Sequence, residues 1–368
     1  MRIALDSQIF AMQEYGGVSR YFCNLARCLS SRPTVDLKIF APLHINSYLS
    51  ALPPKLVFGR HVPIAAKQHK LTHALNLALS CSPIRRFKPE IVHHTYYFPW
   101  TCAPKGARRV VTVHDMIHER FSTMFPMNSR LSTWKKQAVL QADHVICISE
   151  STRRDLLEMF NLCSDKVSVI HLGFDRLADP RDLLNQELQP GCLPYILYVG
   201  ERAGYKNFSG FLRAFGSSSW LRQNFGVICF GGGLLRSDEL RLISELGIPE
   251  HQVSQTGGGD GRLAVHYRNA AAFVYPSLYE GFGIPPLEAM SLDCPVICSN
   301  TSSLPEVLGA AAAYFDPHDT DSIRLALEKT LGSSERRHEL IELGRERYTR
   351  FTWELCTDST IERYSSLS

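Results

Sequence analysis

The stretch Ala270-Ala-Ala-Phe-Val-Tyr-Pro-Ser-Leu-Tyr-Glu-Gly-Phe-Gly-Ile-Pro-Pro-Leu-Glu-Ala-Met290 packs three structural signals into twenty-one residues. The apolar run from Ala270 to Tyr275 predicts a buried strand, Gly281 and Gly283 a tight turn, and Pro286 the opening of a helix, since proline suits the first helical position. Glycines let a backbone approach a ligand closely, and the free N–H groups and positive end of a helix favour an anion. Pro285 and Pro286 have no N–H, so a phosphate at this turn must be held by Gly283, Ile284 or side chains. Two carboxylates, Glu280 before the turn and Glu288 in the first helical turn, suit the hydroxyls of a polyhydroxylated ligand, because ionised carboxylates only accept hydrogen bonds. An anion and a set of hydroxyls in one ligand describe a nucleotide sugar.

The same strand–turn–helix rhythm extends outward in both directions. Short β-rich runs at Ile3–Leu5, Leu37–Phe40, Ile91–His93, Val110–Val113 and Val145–Ile148 alternate with helical patterns, and Tyr195–Val199, Val227–Phe230, Ala272–Tyr275, Val296–Cys298 and Ala313–Phe315 repeat this. Such alternation predicts parallel sheets covered by helices on both faces, with ligands outside the carboxyl ends of the strands. A chain of 368 residues exceeds one ordinary core, so two α/β, doubly wound, Rossmann-like domains facing a cleft are expected. The polar, proline-containing stretch after Val169-Ile-His-Leu-Gly-Phe-Asp175, reaching to Pro194, sets the boundaries: 1–172, 173–345, and a last helical segment 346–368 bearing Phe351, Trp353, Cys356 and Tyr364.

Composition narrows the function. Hydrophobic residues make up 45% and charged residues 21% of the chain, the balance of a soluble globular protein. No run approaches the length of a membrane span and the N-terminus turns charged too early for a signal peptide, so a cytoplasmic location is expected. Eleven cysteines without a Cys-x2-Cys pair read as small buried hydrophobes, Cys147, Cys229 and Cys298 among them, with no disulfide frame or zinc site. His93, His94, His114 and His118 lack a ligand cluster around them. Residues 1–172 carry 22 Lys/Arg against 11 Asp/Glu, and residues 173–368 carry 18 against 25. The basic first half fits an anionic partner, such as a lipid pyrophosphate or membrane surface, but lacks the interleaved aromatic pattern of nucleic-acid binding. Leu71, Ala74, Leu75, Ala78 and Leu79 fall at helical spacing behind Lys67, His69, Lys70 and His73, the pattern of a basic amphipathic helix that lies on a membrane or covers a core, core packing being the commoner outcome. Phe121, Met124, Phe125 and Met127, beside Arg120 and Arg130, form an apolar loop suited to a lipid-linked acceptor if exposed.

Three further motifs carry chemistry. Tyr198-Val-Gly-Glu-Arg-Ala-Gly-Tyr-Lys-Asn207 ends a strand with Arg202 and Lys206, cations suited to a diphosphate whose charge grows as it leaves; Glu201 between them offsets that field if turned inward. Val111-Thr-Val-His-Asp115 places His114 at a strand end, with Asp115 its structural partner. Tyr15-Gly-Gly-Val-Ser-Arg20 sets Gly16 and Gly17 before a helix. Ser149 reads as a helix N-cap, and Asp319-Thr-Asp321, the chain's one Asp-x-Asp, also reads as helix-start chemistry instead of a metal clamp. Gly231-Gly-Gly233 and Thr256-Gly-Gly-Gly-Asp-Gly261 fit neither the dinucleotide nor the P-loop fingerprint.

The Glu-x7-Glu string, over the eleven residues Glu280–Met290, resembles the donor site of family 4 retaining glycosyltransferases of GT-B fold. The likeness covers most of the chain and is sharpest in 198–207 and 276–290, where it leans toward bacterial O-antigen and polysaccharide mannosyltransferases. It implies that Glu280 contacts the transferred sugar, Glu288 the ribose, Arg202 and Lys206 the diphosphate, and His114 the sugar near its reacting carbon, with Gly16, Gly17, Phe282, Gly283 and Ile284 completing the donor site. It also implies retention of configuration, an acceptor-binding first domain, a nucleotide-sugar-binding second domain, a last helix that packs back on the first domain, and a metal-independent mechanism without cofactor. GDP-mannose and a lipid-linked saccharide are the expected donor and acceptor, with peripheral contact to an anionic membrane. A UDP-sugar donor, a nucleotide-sugar epimerase of the same architecture, and a nucleotide-sugar-binding scaffold with decayed catalysis are the rivals.

Overall fold

The computed structural model describes residues 1–63, 69–125, 130–178 and 193–367. Lys67, Met127 and most of the 175–194 stretch lie outside them, as do the side chains of His69 and Lys70. The chain forms two compact units, Met1–Gly173 with Phe351–Ser368, and Phe174–Arg350. The second crossing falls later than 345/346 because the helix Ser334–Arg347 belongs with the second unit.

The first unit holds seven strands: β1 Arg2–Leu5, β2 Asp36–His44, β3 Val57–His61, β4 Ile91–His94, β5 Arg108–Val113, β6 His144–Cys147 and β7 Val167–Val169, in the order β3-β2-β1-β4-β5-β6-β7. The second holds six: β8 Tyr195–Val199, β9 Gly226–Phe230, β10 Val253–Thr256, β11 Ala272–Tyr275, β12 Val296–Ser299 and β13 Ala312–Phe315, ordered β10-β9-β8-β11-β12-β13. Every pairing is parallel. Central strands such as β4, β6, β11 and β12 are buried throughout, which is why β11 and β12 read as apolar runs without polar alternation. The sequence reading missed β3, β7 and β10. The first is largely exposed, the second is only three residues long and the third is three-quarters polar, so hydrophobicity does not mark them. Strand order reverses between β1 and β4 in one sheet and between β8 and β11 in the other, and these two switch points are where a doubly wound sheet opens a crevice for a ligand.

Three expectations change. The helix His69–Phe87 turns its leucines outward: Leu71, Leu75 and Leu79 are 59%, 44% and 49% exposed, while Thr72, Asn76 and Ser80 face inward. Asn76 explains the inversion in part, since its side-chain amide accepts from Leu43 N at 2.8 Å and donates to Leu43 O at 2.9 Å, a polar clamp onto β2. Cys81 and Cys102 form a disulfide, joining that helix to the loop after β4, where sequence spacing gave no sign of proximity. The helix after Gly283 starts at Ile284 and not at Pro286, with both prolines in its first turn.

The helix Trp353–Leu367 belongs to the first unit and packs on the helix Gly17–Ser30. Tyr364, fully buried, shares a 2.5 Å hydrogen bond with His93 Nδ1, whose Nε2 meets Thr112 Oγ1 at 2.9 Å. His93 is therefore a structural histidine of the core.

Candidate active site

In the second unit, the loop after β8 and the turn after β11 sit on neighbouring strands at the switch point. Leu278 N donates to Tyr205 O at 2.7 Å, tying the two together, and Tyr198 OH, under the first loop, donates to Glu201 O at 2.6 Å. Lys206 Nζ donates to Glu280 Oε1 at 2.6 Å and to Tyr275 OH at 3.4 Å. Glu280 is buried, and its backbone is fixed from β12: Glu280 N donates to Ser302 Oγ at 2.9 Å, while Ser303 Oγ lies within 2.9 Å of the carbonyls of Glu280 and Phe282. Burial, and then the Glu280 carboxylate, hold the Tyr275 phenol well above its ordinary pKa, so it stays a neutral hydroxyl.

Gly283 caps the helix Ile284–Ser291 at φ 120°, a conformation side-chain-bearing residues rarely adopt, and a Cβ there would meet Leu304 Cδ2 at 2.9 Å. A glycine is thus required for the helix to begin at this point. Phe282 is buried beneath the turn. Glu288, on the helix, accepts from Tyr267 OH at 3.3 Å. Tyr267 comes from the helix Asp260–Asn269 that follows the second glycine-rich motif.

Arg202 lies elsewhere. Its side chain is completely buried; Nε donates to Glu239 Oε1 at 3.1 Å, Nη1 to Gly231 O at 2.9 Å, and Nη2 to the carbonyls of Gly232, Gly233 and Leu234 at 3.2, 2.9 and 2.8 Å. Gly231, Gly232 and Gly233 all have positive φ (83°, 67° and 71°), which aims successive carbonyls at one guanidinium. Arg202 therefore clamps the loop after β9, and the loop's glycines make the clamp possible. Lys206 is the cation brought to Glu280. Glu201 is exposed.

In the first unit, His114 follows β5 and is 9% exposed. Its N–H donates to Tyr97 OH at 3.2 Å, its ring stands edge-on to Tyr21, and its Nε2 is buried with no hydrogen-bond partner among the described residues. Burial pushes its pKa down to about 4, with Asp115 opposing and Lys135 assisting, so the imidazole is neutral and Nε2 remains available to a ligand. Lys135, 1% exposed, donates to Asp115 O at 2.9 Å and Glu119 Oε2 at 2.8 Å, fixing the segment after His114. Asp115 also accepts from Ile117 N at 3.1 Å. Gly16 caps the helix Gly17–Ser30, where Gln13 Oε1 accepts from Ser19 N at 3.2 Å and so occupies part of the helix start. Ser149 and Asp319 act as N-caps.

Tyr275, Tyr267, Ser302, Ser303 and Glu239 were not singled out from the sequence. Ser302 and Ser303 belong to the polar run that ends β12, a position where a doubly wound fold displays such groups, and that placement was a usable signal. Glu239 is a helix residue whose partner is 37 positions away, beyond any local pattern.

Two halves of the chain match family models: residues 15–176 match Glycosyltransferase Family 4, and residues 181–347 match Glycosyl transferases group 1. With two parallel-sheet units and a carboxylate–lysine site at a switch point, the chain is a family 4 glycosyltransferase of GT-B fold, a hexosyltransferase resembling the O-antigen mannosyltransferases. It is 29% identical over 377 residues to O-antigen chain mannosyltransferase B of Escherichia coli, covering 95% of this chain and 96% of that protein. It is 30% identical over 244 residues to the serotype-specific mannosyltransferase WbdA of Escherichia coli, covering 62% of this chain and 29% of that protein. Among solved structures, sucrose-phosphate synthase from Thermosynechococcus elongatus superposes with a TM-score of 0.76 at 20% identity, covering 100% of this chain and 98% of that one. Anabaena Alr3699/HepE, in complex with UDP and glucose, gives 0.72 at 16% identity, covering 99% of each.

Proposed function

We propose that this glycosyltransferase moves mannose from GDP-mannose, with retention of configuration, onto a lipid-linked saccharide during synthesis of a cell-surface polysaccharide. The Lys206–Glu280 pair beside the Gly283 helix start carries the reading, because it sets a cation, a hydroxyl-accepting carboxylate and free N–H groups at one switch point. In this reading the second unit binds the donor. Lys206 and the Gly283 and Ile284 N–H groups hold the diphosphate, Glu280 the sugar hydroxyls, and Glu288 the ribose. Arg202 serves by holding the Gly231–Leu234 loop. The first unit binds the acceptor, and the unpartnered Nε2 of His114 meets a sugar hydroxyl. The bond between sugar C1 and the phosphate oxygen breaks with its electrons going to the diphosphate. The acceptor oxygen bonds to C1 from the same face, and its proton passes to the departing phosphate.

The likeness to mannosyltransferases over the whole chain favours mannose. A UDP-sugar donor is the second reading, favoured by the fold shared with a protein solved with UDP and glucose. Among the described residues no helix is long and apolar enough to cross a membrane, and the outward leucines of the helix His69–Phe87 support peripheral contact with a membrane surface. A thermal-shift screen of GDP-mannose, UDP-glucose and ADP-glucose tests the donor, since a ligand preferring the native state raises the melting point. The largest shift belongs to GDP-mannose; a larger one with UDP-glucose overturns the choice.

A further inference from the structure

Tyr275 ends β11 with its side chain buried and its ring tilted against Phe273 at a centroid distance of 5.6 Å. Its hydroxyl reaches past that packing to the charge pair of the second unit. It accepts from Lys206 Nζ at 3.4 Å, and the same ammonium lies 5.4 Å from the centroid of the Tyr275 ring. The Glu280 carboxylate acts on the phenol both by its charge and as a hydrogen-bond acceptor. One neutral hydroxyl thus turns its lone pairs to the lysine and its proton to the carboxylate.

The two members of the pair are held differently. Glu280 is fixed from β12, its N–H on Ser302 Oγ at 2.9 Å and its carbonyl on Ser303 Oγ at 2.9 Å, with a side chain 10% exposed. Lys206 ends the short turn Gly204–Lys206, and its long, flexible side chain is 19% exposed. A diphosphate that draws on the pair therefore moves the lysine and leaves the carboxylate where it stands. A carboxylate so enclosed resists losing its cation, because an unpaired buried charge is strongly disfavoured. Tyr275 OH is a donor already turned toward it.

We infer that Tyr275 is a positioning residue of the transferase, its hydroxyl holding the Glu280 carboxylate while Lys206 swings to the diphosphate, so that the pair can divide before sugar hydroxyls reach Glu280. The inference rests on the donor assignment of Lys206 and Glu280 and adds the group that lets them separate. Its consequence differs between two ligands. A bare nucleoside diphosphate takes Lys206 and offers Glu280 nothing, whereas a sugar nucleotide takes the lysine and supplies hydroxyls in its place. Tyr275 OH matters most for the bare diphosphate, the state of the site once the sugar has gone. In the ligand-free chain it matters least, since Lys206 remains 2.6 Å from Glu280.

Tyr275→Phe deletes the hydroxyl and keeps the ring with its packing on Phe273. The full-length variant is titrated by calorimetry with GDP and GDP-mannose, or with UDP and UDP-glucose where those are the ligands the wild type binds. Affinity for the bare diphosphate should fall about tenfold, the lower end for one hydrogen bond to a charged group, and clearly less for the sugar nucleotide. Inhibition of transfer by added diphosphate should weaken in the same proportion while donor KM changes little, and the melting point should stay near that of wild type. In a Glu280→Gln background, whose neutral amide needs no cation, adding Tyr275→Phe should leave diphosphate affinity nearly unchanged. Equal losses for the two ligands, as a packing defect gives, would overturn the inference. So would an undiminished effect beside Glu280→Gln, or unchanged diphosphate affinity in the folded Tyr275→Phe chain. In all three cases wild-type transfer keeps the donor reading standing, whereas a wild-type chain that binds no member of either ligand pair overturns that reading and the inference with it.

Discussion

Lys206 Nζ stands 2.6 Å from Glu280 Oε1, with the two side chains 19% and 10% exposed. This half-buried pair links the loop after β8 to the turn after β11. In the proposed reading, a diphosphate entering here would compete with Glu280 for the lysine, and the released carboxylate would accept from the hydroxyls of the sugar that arrives with it.

Lys206→Ala should lower kcat by about 10²–10³, the cost of removing one group aimed at developing charge. Wild-type turnover should persist in excess EDTA, because protein cations and helix N–H groups are proposed to take the leaving-group charge. Steady-state transfer assays with and without EDTA check both, and a wild-type enzyme silenced by EDTA sinks the metal-free mechanism.

Glu288→Ala should weaken binding of the sugar nucleotide and of the bare nucleoside diphosphate alike, by about 10–100-fold, the range for one hydrogen bond to a charged group. Calorimetry on both ligands is the check. Unchanged affinity for the bare diphosphate removes the ribose assignment.

Arg202→Ala should destabilise the second unit by about 1–3 kcal/mol, since it strips the Gly231–Leu234 carbonyls of their shared donor and leaves Glu239 with Arg236 alone, whose Nη2 lies 3.0 Å from Glu239 Oε1. Arg202→Lys should not restore stability, because an ammonium cannot reach four carbonyls and a carboxylate at once. Denaturant melts measure this. A lysine variant as stable as wild type, with only its donor KM raised, would return Arg202 to the diphosphate.

The pH profile of kcat/KM should show no His114 inflection near the ordinary histidine value of about 6.5, because burial holds its pKa at about 4. The unfolded chain binds more protons than the native one between about 4 and 6.5, so stability falls as pH drops through that window and levels off below it. His93 and His144, pushed down to about 3 and about 4 by burial, act in the same direction. Melting points at pH 7 and 4.5 test the sign, and a chain more stable at 4.5 contradicts it.

The readable parts of the sequence were those where one residue type serves one purpose locally. Apolar runs marked β11 and β12 because both faces of these strands are buried, and Gly283 marked a turn because its backbone excludes side chains. The stripe of leucines on the helix His69–Phe87 was legible, but periodicity does not say whether it faces a core or a surface; Asn76, polar and bound to Leu43, turns it outward. Arg202 was read as a ligand-facing cation because its partners, Glu239 and the glycine carbonyls, come together only through the sheet. Cys81 and Cys102 were invisible as a pair for the same reason.

Because the helix Trp353–Leu367 belongs to the same unit as β1, that unit is discontinuous in sequence while residues 174–350 form a single uninterrupted body. Trimming the chain after Arg350 does not shorten a tail; it strips Tyr364 from His93 and opens the interior of the opposite end of the polypeptide. Residues 174–350 are accordingly the segment to excise for separate expression, and the first unit calls for a short artificial splice between Gly173 and Phe351.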